Sequence, residues 1–225
     1  MAETVPTYTA AAIRTAEAPL LAAGEPLMRR AAAALAAVVR DTLPLPEAGA
    51  RARILVLAGR GDNGGDALYA AADLTERAAI DVLLTAGEGH RDALAAARAA
   101  GAHVVDLAHV RDTAYDVAID GIVGIGATGA ALRGGAHDAV TTLLPAVRSG
   151  RTRVVAVDLP SGVQPDDGST ADGVVLPASV TVTFGGVKAG LAATRAAGRV
   201  VLVELGLPLD PATAVGEADV EIYRA

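Results

Sequence analysis

Short, mostly uncharged aliphatic runs alternate along this chain with stretches whose apolar residues recur three and four apart. Runs of the first kind are Ile54–Leu57, Ile80–Leu84, His103–Leu107, Asp116–Asp120, Val154–Asp158, Val180–Phe184, Arg199–Glu204 and Val220–Tyr223. Dense β-branched and aliphatic residues predict strands, with Ile54–Leu57 fully buried. Helical spacing begins at Ala10 after Thr9, with Pro19 placed to kink or end that helix and Gly24 to close it. A second helix opens at Glu25–Pro26. Its Leu27, Met28, Ala31, Leu35, Val38 and Val39 share one face, with Arg29, Arg30 and Arg40 off it, as a solvated or subunit-facing surface. Later helices are expected from Asp66 (Leu68, Ala71, Ala72, Leu74), over His90–Ala100 up to Gly101, and over Ala136–Leu144, ending near Pro145. From Pro208 the tail reads as loop until its terminal strand. Strands alternating with helices in this way predict an α/β fold with a parallel, doubly wound sheet. No repeat or linker interrupts the pattern, so residues 1–225 are expected to form a single domain.

Composition narrows the picture. With 52% hydrophobic and 20% charged residues a sizeable core is expected, and it must be aliphatic, since Trp is absent and Phe occurs once. Net charge is −7 and the 19 basic residues are scattered, so no nucleic-acid partner is expected. The absence of cysteine excludes disulfides, thiolate zinc sites and a cysteine nucleophile. MAETVPTYTA has no basic n-region, and the longest apolar run, Ala31–Val39, is too short to span a bilayer. A cytoplasmic protein without a membrane partner is therefore expected.

The chemistry is concentrated in loops. Ile54–Leu57 runs into Gly59, Gly61, Gly64 and Gly65 and then a helix, the arrangement that presents free N–H groups and a positive helix end to an anion. Another strand ends in Asp120 before Gly121, Gly124 and Gly126, and a third ends in Asp158 before Pro160, Ser161 and Gly162. Parallel strands would bring these ends to one rim, where such sheets bind ligands. Singly, each residue also has an ordinary explanation. Asp66 reads equally as a helix cap, Asp120 and Asp158 as acceptors for loop N–H groups, and Ser161 as a turn residue. His90, His103, His109 and His137 lack metal-ligand spacing, and there is neither a Gly-x-Ser-x-Gly elbow nor a Gly-Lys-Ser/Thr phosphate loop. Serine-triad hydrolysis and nucleotide triphosphate turnover drop out. The Asn63 carboxamide, Asp120 carboxylate, Ser161 hydroxyl and loop carbonyls form an oxygen set suited to a hard cation.

GRGDNGGDAL, DVAIDGIVGIGATGAALRGG, VVAVDLPSGVQPDDG, VTVTFGGVKAGL and LMRRAA together resemble the motifs of the NAD(P)H-hydrate epimerase family, also called the YjeF N-terminal domain. They occupy residues 27 to 191. The resemblance implies a Rossmann-like three-layer αβα sandwich with a mostly parallel central sheet. It implies a homodimer that interconverts the R and S forms of hydrated NADH or NADPH, with a potassium ion as cofactor. Carried over by position, Asp62, Asn63, Gly64, Gly65 and Asp66 would hold the dinucleotide, as would Gly124, Ile125, Gly126, Ala127, Thr128, Gly129 and Ala130. Asp158 would also touch it, and Asn63, Asp120 and Ser161 would bind the potassium. Asp62 departs from the family's first Asn and adds a negative charge near a diphosphate. Ala67 replaces a Gly, and Arg29–Arg30 replace Glu–Asn. Nothing here corresponds to the dehydratase often fused to this domain, so a stand-alone or excised epimerase is expected.

Epimerisation needs an acid that becomes a base. Protonating the hydroxyl lets the ring nitrogen expel it, and water re-enters from either face; ring opening to an aldehyde is the competing route. Asp158 is the first choice for that group. Lys188 assists proton transfer or binds phosphate, or is an ordinary surface lysine after a strand. The rivals are a non-catalytic module of the same fold and an NAD-dependent dehydrogenase. The latter would want an acidic residue directly after the second strand, where Thr85–Ala86–Gly87 stand instead.

Overall fold

The computed structural model describes residues 2–44, 51–124 and 131–224. In chain order the elements are β1 (Ala2–Tyr8), α1 (Ala10–Ala22), α2 (Leu27–Thr42), β2 (Ala52–Ala58), α3 (Asp62–Leu74), β3 (Ala78–Leu84), α4 (Arg91–Ala100), β4 (His103–Val105) and α5 (Leu107–Asp112). They continue with β5 (Val117–Gly121), α6 (Gly135–Arg148), β6 (Arg153–Val157), β7 (Val180–Phe184), β8 (Val187–Lys188), α7 (Ala189–Ala193), β9 (Arg199–Val203) and β10 (Gly216–Tyr223). The described strands form one ten-stranded sheet, ordered β4-β3-β2-β5-β6-β7-β9-β10-β1-β8. Neighbours are parallel from β4 to β10; β1 then pairs antiparallel with β10 and parallel with β8. This is the Rossmann-like αβα sandwich that the alternation and the motifs predict.

The pattern of β2 explains the layers. Ile54, Val56 and Ala58 enter a core shared with α2, α3 and α4, while Leu55 and Leu57 enter the core beneath α5 and α6. All five are 0% exposed, so neither face leaves a place for a polar residue. Each such leucine or isoleucine contributes about 1.5–3 kcal/mol through burial. On α2 the predicted face is buried at Leu27, Ala31, Leu35, Val38 and Val39, and Arg29, Arg30 and Arg40 are exposed.

Several elements differ from the sequence expectation. Helix α1 is capped by Thr9, whose Oγ1 accepts the Ala12 N–H at 3.2 Å, but it runs through Pro19; α6 likewise runs through Pro145. Each proline deprives the carbonyl four residues earlier of its donor. Thr15 and Thr141, which carry those carbonyls, are exposed, so solvent can satisfy them. Helix α3 starts at Asp62 rather than Asp66 and takes Gly64 and Gly65 into its first turns. The strand from His103 stops at Val105 because Asp106 caps the short helix α5, its Oδ1 accepting the His109 N–H at 2.8 Å. Strand β1 was not expected, and β10 is longer than Val220–Tyr223 because the two pair along Ala2–Thr7 and Gly216–Glu221.

Candidate functional site

Strand order reverses between β2 and β5, with β3 and β4 on one side and β6 onward on the other. Loops leave such a point in opposite directions and open a crevice beyond the strand ends. The register pairs Leu57 with Asp120 and Asp120 with Ala156, so the ends of β2, β5 and β6 are level. Asn63, Asp120 and Asp158 therefore share one rim.

The turn from β2 into α3 is closed by contact between backbones. The Gly59 N–H donates to the Gly121 carbonyl at 2.9 Å. A Cβ on Gly64 would meet the Gly59 carbonyl oxygen at 2.0 Å, so only glycine lets the helix start this close to the strand. Among the described residues no side chain caps α3. Its first N–H groups are left for an anion, with Asp62 in the first turn complementing the helix dipole.

Beneath that helix start lies an all-oxygen cluster. Asp120 is 0% exposed. Its Oδ1 accepts the Ser161 hydroxyl at 2.6 Å and its Oδ2 the Ser161 N–H at 2.8 Å. Burial pushes the Asp120 carboxyl up to about 6, with the Ser161 bonds pulling the other way. Both ordinary explanations thus hold in part, since Asp120 does satisfy loop N–H groups and Ser161 is its donor. Asn63 joins from α3, its Nδ2 donating to the carbonyls of Val157 at 2.7 Å and Val123 at 3.1 Å. Asn63 Oδ1 faces Gly124, where a Cβ would come within 2.7 Å. One buried carboxylate, a carboxamide oxygen and a hydroxyl suit a hard monovalent ion in charge and donor type. Among the described residues no group of three His, Cys, Asp or Glu could hold a metal ion.

Asp158 sits in a different setting. It is the one non-glycine residue with positive φ (68°) among those described, directly after β6. Lys188 Nζ is paired with its Oδ1, and Thr183 Oγ1 donates to the same oxygen at 3.1 Å. Lys188 also donates to the Phe184 carbonyl at 3.1 Å and is 1% exposed. The surface-lysine explanation is therefore excluded, and the residue belongs to β8 rather than to a loop. Its ammonium holds Asp158 from behind.

A cavity of about 1280 Å³ opens on this rim, larger than the roughly 300–1,000 Å³ common for drug-sized ligands. Asp62, Asn63, Asp66, Gly124 and Asp158 are on its wall. Gly64 and Gly65 lie in the first turns of α3 and are not; Gly65 packs on Met28. Ile125, Gly126, Ala127, Thr128, Gly129 and Ala130 fall outside the described residues. Asp66 is no cap: it lies inside α3, 6% exposed, and among the described residues its Oδ1 has no hydrogen-bond partner. Burial first, then the charges of Asp158, Asp62 and Glu17, hold its carboxyl well above the usual range.

Sequence reasoning missed other parts of the wall. Glu17 reaches it from α1, its carboxyl raised by burial and partly offset by Lys188. The one usable sign was a carboxylate beside the buried Ala16 in an alanine-rich helix. Arg60, Arg133 and the start of α6 at Gly135 also line the cavity. Gly135 is pressed on Thr85, where a Cβ would meet the carbonyl oxygen at 2.5 Å, so α6 points a second helix N-terminus at the site. Two helix starts and two guanidiniums supply the positive potential that an acidic cleft needs to hold a phosphate-bearing ligand.

Fold and site together define a Rossmann-like α/β protein with a large cleft at its switch point. Residues 24–190 match the family described as YjeF-related protein N-terminus, and the chain belongs to that family. It is 55% identical over 218 residues to the NAD(P)H-hydrate epimerase of Microbacterium testaceum, covering 91% of this chain and 80% of that one. To the NAD(P)H-hydrate epimerase of Clavibacter michiganensis it is 49% identical, covering 92% and 93%. A bifunctional NAD(P)H-hydrate repair enzyme of Mycobacterium leprae is 41% identical, with 96% of this chain matching 45% of that protein. The crystal structure of yeast ynu0 shares the fold at a TM-score of 0.69 and 19% identity, covering 83% of each chain. Among the described residues no helix is long and apolar enough to cross a membrane.

Proposed function

We propose that this chain is an isomerase that interconverts the R and S forms of hydrated NADH and NADPH, the activity named for its epimerase relatives. The observation that carries the reading is Asp158, backed by Lys188, on the wall of a cavity faced by two helix N-termini. The diphosphate lies at the starts of α3 and α6 with Arg60 and Arg133, beside Asp62, Asp66 and Gly124. The hydrated ring faces Asp158. When the ring nitrogen expels the hydroxyl, the anionic Asp158 steadies the cationic ring and takes a proton from the water that re-enters; in the reverse direction it returns that proton. Lys188 holds Asp158 in place by their ion pair.

Asn63, Asp120 and Ser161 would hold potassium. The ion would supply positive charge against the buried Asp120 carboxylate, beside a ligand that is itself anionic. The same reading takes the chain as a single cytoplasmic domain acting as a homodimer, which light scattering of the purified protein checks. No carboxylate directly follows β3 on the cavity wall, where Thr85, Ala86 and Gly87 stand, and this disfavours a dehydrogenase. The test is incubation with one pure epimer of hydrated NADH, with and without potassium, followed by chiral separation. Rapid appearance of the other epimer, faster with potassium, is expected. Enzyme that leaves the epimer unchanged under both conditions would refute the reading.

A further inference from the structure

We infer that Asp66 is a second catalytic carboxyl of this cleft, one that rests protonated and hands its proton to the departing hydroxyl. The inference rests on the epimerase reading and assigns the first proton donation, on the face opposite the one Asp158 serves. Asp158 is tied to the buried ammonium of Lys188, which is not on the cavity wall.

Asp66 has the opposite surroundings. It lies one helical turn beyond Asp62 on α3, so the two carboxyls share a face, and both line the cavity. It is 6% exposed, and among the described residues its Oδ1 has no donor. A carboxylate buried without donors is costly, and the protonated form avoids that cost while keeping an O–H to give. The groups facing it confirm the sign. Asp62 on its own helix, Glu17 from α1 and Asp158 at the end of β6 all favour the neutral form. The one opposing charge is Lys188 from β8, already engaged by Asp158.

The step then balances without an oxidant or reductant. The Asp66 proton moves to the hydroxyl oxygen, the carbon–oxygen bond breaks and water leaves with the electron pair. The ring nitrogen's lone pair forms the carbon–nitrogen double bond. Water adds to the other face, those electrons return to nitrogen, and the proton released goes to Asp158. Asp66 ends ionised and Asp158 protonated, and exchange with solvent in the open cavity resets both.

The test compares wild type, Asp66→Asn and Glu17→Gln on one pure epimer of hydrated NADH, with chiral separation across pH. Asp66→Asn is expected to lower kcat by about 10²-fold or more with KM little changed. The wild-type rate should fall as pH rises and Asp66 loses its proton, while the residual rate of Asp66→Asn should not. Glu17→Gln should keep the wild-type alkaline fall. An Asp66→Asn enzyme at the wild-type rate, or an alkaline fall that vanishes in Glu17→Gln, would overturn the assignment. If Asp66→Asn does not fold, the wild-type and Glu17→Gln profiles decide. Wild type that inverts nothing ends the epimerase reading itself, whereas active wild type beside equally active Asp66→Asn ends only the role of Asp66.

Discussion

Asp81 and Asp66 are both 6% exposed, yet their surroundings have little in common. Asp81 projects from β3 into a ring of donors, with Tyr115 Oη at 2.9 Å, Arg53 Nη2 at 3.0 Å and His109 Nε2 at 3.2 Å, all on Oδ2. Burial and the charge of Asp81 push the Tyr115 hydroxyl up, so it stays a donor at ordinary pH. Asp66, at the cleft, has an oxygen with no donor among the described residues and carboxyls for neighbours. Burial alone therefore says little about role. A buried carboxylate with its bonds made holds strands and helices together; one left short of bonds beside a cavity is available for chemistry.

Variants at the two places should separate accordingly. The largest effect is expected at the cleft, where Asp158→Asn should lower kcat by roughly 10²–10⁴-fold while substrate still binds, measured by epimer separation. A fully active Asp158→Asn would place the base elsewhere. Asp81→Asn should do the reverse, lowering stability by about 1–3 kcal/mol in urea titration while activity per folded molecule is unchanged. The smallest effect sharpens the contrast most. Above the ordinary carboxyl value the unfolded chain ionises Asp66, whereas the folded protein keeps it protonated up to its raised value. Within that window folding binds a proton, so stability falls as pH rises. Asp66→Asn removes this dependence and should raise the melting temperature more at pH 8 than at pH 4. An equal shift at both would show that Asp66 is not held protonated.

Much of the fold was legible because it is local. Doubly buried strands such as Ile54–Leu57 announce themselves by lacking polar residues, and the helical face of α2 by its spacing. Strand β1 was not, since AETVPTY is largely exposed and becomes a strand only by pairing with residues at the other end of the chain. The start of α3 was misplaced because paired glycines argue against a helix; packing of Gly64 on Gly59 outweighs that propensity. At the site, the strand-end carboxylates were readable as a set, because parallel strands must end together. The burial of Lys188 was not readable, since it depends on Asp158 thirty residues earlier in the chain. Nor was the missing donor of Asp66, which is a property of its neighbours and not of its position.

Strand β1 carries a consequence of its own. It threads between β10 and β8, sets Tyr8 beside Lys188, and turns at once into the helix that bears Glu17. The opening residues thus fasten the lysine under Asp158 and hang an acidic side chain over the cleft. Shortening the protein from that end would loosen the floor and one wall of the cavity together, though the glycine motif itself were left intact.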